Sequence, residues 1–207
     1  VEGFASPIHF LQVEGYLSHV EYKPLKLENS GDLFSAEELG LLDLGEDFTP
    51  SMLKRLGEDT KRNLQIVLRT LEVIERGLPA ILFACSVAHA EALTALLAYK
   101  GKKVGLITGN TPGVLRASYI EGYKSGEIDI LINFGVLTTG FDAPKTKAVI
   151  ITRPTTSLSL YSQMVGRATR GPKVNGTDRC EVHTVIDSHL PAFTSIADSF
   201  THWDSHF

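Results

Sequence analysis

Between residues 80 and 186 the chain alternates short, unbroken apolar runs with helix-patterned stretches, and this alternation restricts its possible folds most. The runs fall at 80–84 (AILFA), 104–108, 128–132, 148–151 and 182–186. Strands that are apolar at every position are buried on both faces, and connections of ten or more residues leave room for crossover helices. The pattern therefore predicts an α/β fold with a mainly parallel sheet covered by helices on both faces. Ser86 is placed to cap a helix carrying Ala90, Leu93, Leu96 and Leu97 on one side and ending near Gly101. Thr111 and Pro112 open another in cap-then-proline order, with Leu115, Tyr119 and Tyr123 on one face and Gly126 as its stop. Upstream, Leu64, Val67, Leu68, Leu71 and Ile74 recur at helical spacing until Gly77 and Pro79, predicting a helix that covers the sheet. Ligands of such sheets gather at the carboxyl ends of the strands, so the loops after residues 84, 108, 132 and 151 are the places to look for a site.

The flanking segments are less regular. Residues 1–15 show no sustained period, and 16–27 form an extended run broken by Pro24, which suits an edge strand. Residues 1–59 are thus expected to hold an edge strand and an irregular acidic insertion with short helices near 35–42 and 49–56; residues 60–187 form the core. Residues 188–207 form a helical tail with Phe193, Ile196, Phe200 and Trp203 on one stripe. One domain accounts for the 207 residues, and no stretch approaches the roughly 20 apolar residues of a membrane span. The net charge of −4 argues against a broad basic surface, so any nucleic-acid contact has to be local. Cys85 and Cys180 lie far apart with no metal-ligand spacing, so a reducing, cytoplasmic setting without a membrane partner is expected. The chain starts at Val1, which reads as a piece of a longer protein.

The chemistry concentrates in residues 155–171, TTSLSLYSQMVGRATRG. As a helix, this stretch puts Gln163, Arg167 and Arg170 at i, i+4 and i+7 on one face, with Leu160, Met164 and Ala168 packing on the next. Two guanidinium groups beside a glutamine, with Gly166 thinning the helix surface, form a planar donor array suited to a phosphate chain. Solvated arginines complementing a helix dipole fit the same residues. Thr138-Thr139-Gly140 offers backbone N–H groups and hydroxyls that suit a phosphate, and an ordinary turn with a helix cap suits it as well.

Taken together, residues 137–144 (LTTGFDAP) and the Q-x-x-G-R-x-x-R segment at 163–170 resemble motifs V and VI of superfamily-two helicases and translocases. The approach Pro154-Thr155-Thr156-Ser157 is closest to the branch of restriction-enzyme motors and DNA-repair translocases. The resemblance covers residues 80–187 and implies a RecA-like three-layer domain, the C-terminal lobe of an ATP-dependent motor. It implies that Arg167 and Arg170, with Gln163, act on ATP as arginine fingers, and that Gly140, Asp142 and Gly166 line the nucleotide side. It also implies that Ser86, Gly109, Thr111 and Thr138 meet the nucleic-acid backbone, with DNA favoured over RNA. Capping alone explains Ser86 and Thr111 and is the better account of each in isolation, and His89, without a partner in sequence, reads as a surface or packed side chain. Phe134 and Gly135 depart from the family pattern, standing where many relatives have a threonine and an aspartate. No G-x-x-x-x-G-K-[ST] segment and no Asp-Glu pair is present, so the resemblance implies an N-terminal RecA-like lobe as partner, holding Mg²⁺ and most of the ATP site. The rival reading is a non-catalytic nucleic-acid or protein-binding module that keeps the fold. An unrelated enzyme with its pocket at the same rim would need a paired base and nucleophile, and none stands out.

Overall fold

The computed structural model describes residues 7–28, 33–137, 142–188 and 190. The element order is α1 (Pro7–Val13), β1 (His19–Tyr22), β2 (Leu25–Leu27), α2 (Ala36–Asp43), α3 (Pro50–Glu58), α4 (Thr60–Glu75), β3 (Ala80–Phe83), α5 (Val87–Tyr99), β4 (Val104–Ile107), α6 (Gly113–Ser125), β5 (Ile130–Asn133), β6 (Ala148–Ile151), α7 (Leu158–Val165) and β7 (Arg179–Asp187). The seven strands form one sheet in the order β1-β7-β6-β3-β5-β4, with β2 also paired to β7. Every pairing is parallel, which confirms the fold read from the apolar runs and sends all strand carboxyl ends to one rim.

Strand periodicity divides the core in two. Ile81, Phe83, Leu131, Val149 and Ile151 face one layer with Tyr123 of α6 and Tyr161 and Met164 of α7. Ala80, Leu82, Ile130, Ile132, Ala148 and Ile150 face the other, beneath Ile66, Val67 and Val73 of α4 and Ala90, Leu93 and Leu97 of α5. The α4 helix covers the sheet as expected, but with a rotated face. Its buried side is Arg62, Asn63, Ile66, Val67, Thr70, Val73 and Ile74, whereas Leu64 and Leu68 are 56% and 46% exposed. The cause is at its first turn, where the Arg62 guanidinium turns inward to Asp187 and takes the helix with it.

Residues 33–59 form two capped helices that pack into the core, which is more regular than the acidic insertion expected there. Ser35 and Glu38 form a reciprocal capping box at α2, and Thr49 caps α3 by accepting from the Met52 N–H. Phe34, Leu42, Phe48, Met52, Leu53 and Leu56 are buried in the same cluster as Ile81 and Phe83. Among the described acidic residues of this segment, Glu37, Asp43, Glu46 and Glu58 are exposed, while Glu38, Asp47 and Asp59 are half-buried. Residues 1–15 contain α1, which buries no residue, so no apolar period announced it. The stripe at Phe193, Ile196, Phe200 and Trp203 falls outside the described residues.

On β7, Glu181 gathers Arg76 Nη1 at 2.7 Å, Lys23 Nζ at 2.9 Å and His183 Nε2 at 2.8 Å. The Arg76 hydrogen bonds, followed by those from Lys23 and His183, overcome partial burial and lower its pKa to about 2. A depressed carboxylate pKa adds stability above the unfolded value near 4.5, and this is lost as pH falls towards 2. Glu181→Gln is therefore expected to cost on the order of 1–2 kcal/mol at pH 7 and to flatten the stability slope between pH 5 and 2, read by urea unfolding at a series of pH values. Equal acid slopes for the two proteins would refute the linkage.

Candidate functional site

Because the strands are parallel, Ser86 after β3, Gly109 and Thr111 after β4 and Thr155 to Ser157 after β6 stand along one rim, while Asp142 lies further along the β5–β6 connection. Asn133, buried at the end of β5, shapes its loop by donating from Nδ2 to the Leu82 carbonyl at 3.0 Å and accepting from the Leu137 N–H at 3.3 Å. Thr138 and Gly140, the next candidates along that loop, lie outside the described residues.

The arginine segment departs from the single helix expected of it. Helix α7 starts under a Ser157 cap and ends at Val165, with Gly166 as its C-cap. Tyr161, Met164 and Ala168 are buried, and the Tyr161 hydroxyl meets Thr184 Oγ1 at 2.7 Å to fix the helix on β7. Arg167 follows the cap and its Nε donates to the Gln163 carbonyl at 3.3 Å. Arg170 is no longer helical; its main chain forms an antiparallel bridge with Leu17. The Ser18 hydroxyl lies 2.7 Å from the Arg170 carbonyl, and the Gly171 N–H donates to the Tyr16 carbonyl at 3.0 Å. Gly171 and Gly176 permit this approach: a Cβ on Gly171 would lie 2.3 Å from the Gly15 carbonyl oxygen, and one on Gly176 only 1.9 Å from that of Arg170. Tertiary pairing thus overrides helical continuation, and the i, i+4, i+7 face is not formed.

The arginines still converge. Arg170 Nη1 forms an ion pair with Asp142. Burial, and next the Arg170 charge, lower the Arg167 pKa, while Asp142 opposes them. Two cations and one carboxylate therefore meet beyond the end of α7, an arrangement able to receive a more highly charged anion in place of Asp142. Gln163, on the last turn of α7, has its Nε2 at 3.5 Å from Ser159 Oγ.

Other candidates serve structure first. Ser86 Oγ accepts the His89 N–H at 3.1 Å as the α5 cap. Thr111 does not cap α6, whose N-cap is Pro112; its hydroxyl instead accepts the Thr108 N–H at 2.9 Å and closes the preceding turn. Gly109 is exposed with open space where a Cβ would stand. His89 is buried, accepts the Cys85 N–H at 3.1 Å, and is held neutral by burial and the nearby Arg62 charge, with its pKa lowered to about 3. Burial also raises the pKa values of the free thiols Cys85 and Cys180.

Two features of the rim were missed. Arg62 Nε and Nη2 reach Asp187 Oδ1 and Oδ2 at 2.9 and 3.0 Å, while Nη2 also donates to the Thr152 carbonyl at 2.6 Å. Both side chains are fully buried, and they join the ends of β6 and β7 to α4. A charged residue at i of the Ile66, Thr70, Val73 stripe and an aspartate ending a buried strand were the available signals. The second is Asp47, whose Oδ1 accepts the Thr156 N–H at 2.9 Å and whose Oδ2 accepts the Thr155 hydroxyl at 3.1 Å. No local pattern marks it.

Residues 60–172 match the family described as helicase conserved C-terminal domain, more than half of the chain. The chain belongs to this family. The domain is 33% identical over 128 residues to the putative ATP-dependent helicase IRC3 of Saccharomyces cerevisiae, covering 60% of the chain and 18% of that protein. It is 32% identical over 110 residues to the ATP-dependent RNA helicase RhlB of Psychromonas ingrahamii, covering 52% of the chain and 26% of that protein. The helicase domain thus spans about a fifth to a quarter of these relatives. Among solved structures it is similar to the C-terminal domain of the DEAD-box protein Dbp5, with TM-score 0.52 and 22% identity over 64% of this chain and 78% of that one. It is also similar to the C-terminal part of the Fun30 ATPase domain, with TM-score 0.56 and 18% identity over 69% and 47%. These likenesses establish the RecA-like fold of a superfamily-two helicase C-terminal domain.

A Mg²⁺ ion calls for carboxylate oxygens. Among the described residues no three acidic, histidine or cysteine side chains are grouped to hold a metal, and Asp142 is engaged with Arg170. The residues present suit phosphate oxygens and not the metal. No described helix is long and apolar enough to cross a membrane.

Proposed function

We propose that this chain is the C-terminal motor lobe of an ATP-dependent helicase or translocase, closing on ATP bound to an N-terminal lobe and gripping nucleic acid along its rim. The observation that carries this reading is the convergence of Arg167, Arg170 and Asp142 beyond the C-terminal end of α7. In the closed state the γ-phosphate replaces Asp142 as the partner of Arg170, and Arg167 joins it on the phosphoryl oxygens. As water attacks the phosphorus and ADP departs, charge on those oxygens is met by fixed guanidinium donors. Loss of the phosphate returns Arg170 to Asp142 and lets the lobes part. Gly166 keeps the surface beside Arg167 thin, and Gly140 with Asp142 borders the nucleotide. Thr138, Ser86 and the loop of Gly109 and Thr111 form the nucleic-acid side, uncharged contacts too few for a broad electrostatic grip, so this chain alone is expected to bind nucleic acid weakly.

DNA is the preferred track, following the likeness of residues 154–157 to the DNA-motor branch. RNA is the alternative, favoured by relatives named RNA helicases. Phosphate release is measured with ATP, Mg²⁺ and DNA or RNA. The full-length protein is expected to turn over with DNA stimulating more than RNA, and this chain alone to release none. Turnover by the chain alone would overturn the half-motor reading; equal or greater stimulation by RNA would overturn the DNA preference.

A further inference from the structure

Asp47 stands outside every motif of the arginine segment, yet it makes most of the contacts to the segment's entry. It accepts the Thr155 hydroxyl at 3.1 Å and the Thr156 N–H at 2.9 Å, while the Thr156 hydroxyl donates to the neighbouring Glu46 carbonyl at 3.1 Å. The contact continues inward. Thr155 Oγ1, with its hydrogen directed to Asp47, accepts the Ser157 N–H at 3.0 Å, and Ser157 Oγ accepts the Leu160 N–H at 3.2 Å to cap α7. The chain of bonds therefore runs from Asp47 through Thr155 and Ser157 to the first turn of a helix whose far end carries Gln163 and, just beyond, Arg167.

The carboxylate is itself well seated. Gly45, at φ +89, turns the chain out of α2 in a conformation that a side chain would strain. Phe48 is buried beside it, and Thr49 caps α3. Helix α7 has no acidic residue in its first turn, so Asp47 supplies from a distant part of the chain the negative charge that a helix N-terminus favours. With only eight residues, α7 is about 12 Å long and transmits a shift at its start directly to its end.

We propose that Asp47 is a positioning residue for ATP hydrolysis: it fixes the seat of α7 so that Arg167 meets the γ-phosphate. This rests on the motor reading above. It also assigns a task to the α2–α3 segment, whose buried residues anchor the carboxylate and whose exposed loop reaches the rim.

The test is steady-state ATP hydrolysis by the full-length protein at saturating nucleic acid, with turnover expressed per folded molecule. Asp47→Ala is expected to lower kcat about 10- to 100-fold, the scale of a misplacement near 1 Å, with KM for ATP within about twofold. Asp47→Asn keeps an acceptor for Thr156 and is expected to recover most of the loss. Thr155→Val removes the same relay from its other end at nearly constant volume. It should cause a similar fall in kcat, and the double variant should be no worse than either single one. Arg167→Ala separates the two levels of argument. Wild-type turnover in Arg167→Ala would overturn the motor reading. Collapse of Arg167→Ala together with wild-type kcat in Asp47→Ala, or additive losses in the double variant, would overturn the positioning role alone.

Discussion

Arg167→Ala in the full-length protein is expected to lower ATP turnover by on the order of 10³-fold or more while changing ATP affinity only a few-fold. The asymmetry follows from where the interaction is made. A guanidinium that meets charge developing on the phosphoryl oxygens stabilises the transition state more than bound ATP, so its loss appears in kcat. Arg170→Ala should show the same division. Because Arg170 is paired with Asp142, its removal also leaves an exposed carboxylate facing incoming phosphate. Lysine should rescue either position poorly, since a point charge does not replace the planar fork. The measurements are saturated ATPase rates and nucleotide binding, with thermal melting alongside. Were the arginines only solvated surface charges, alanine would shift stability by roughly half a kcal/mol and leave turnover intact. That result in both variants would remove the main support for the motor.

Arg62→Ala is expected to destabilise this chain by about 3–5 kcal/mol, with a fall in Tm on the order of 10 °C. Arg62 and Asp187 are both 0% exposed, so neither charge has water to fall back on. Removing the arginine strands the carboxylate and frees the Thr152 carbonyl that Nη2 was holding at 2.6 Å. Replacing both partners together, as Arg62→Met with Asp187→Leu, removes the stranded charge and should recover much of the loss. Urea unfolding of the two single variants and the double one measures this directly. A loss below about 1 kcal/mol in Arg62→Ala would mean that the site admits water or relaxes around the charge.

The sheet was legible because continuous apolar strands leave few alternatives, and the carboxyl rim followed from their parallel order. The arginines stood out as candidate donors to phosphate, but their geometry was not legible. The end of α7 at Val165 is decided by pairing with residues 15–18, and Gly171 and Gly176 read locally as ordinary loop glycines. The rotated face of α4 was hidden for a related reason. Leu64 and Leu68 match the helical period better than the buried Arg62 and Thr70, and only the distant Asp187 settles which side turns inward. Asp47 left no trace at all, since its partners lie more than one hundred residues away.

The pairing of Arg170 with residues 17 and 18 also bears on the order in which this domain assembles. The Ser18 hydroxyl and the Arg170 carbonyl are 152 residues apart in sequence, so their contact closes a loop spanning most of the chain. Closing so long a loop costs conformational entropy that shorter-range strand and helix contacts must first offset, which places the contact late in folding. An emerging chain can complete much of its sheet before this lock exists. The arginine proposed to meet phosphate is therefore held in this setting only once the two ends of the chain have come together, as they also do where β1 pairs with β7.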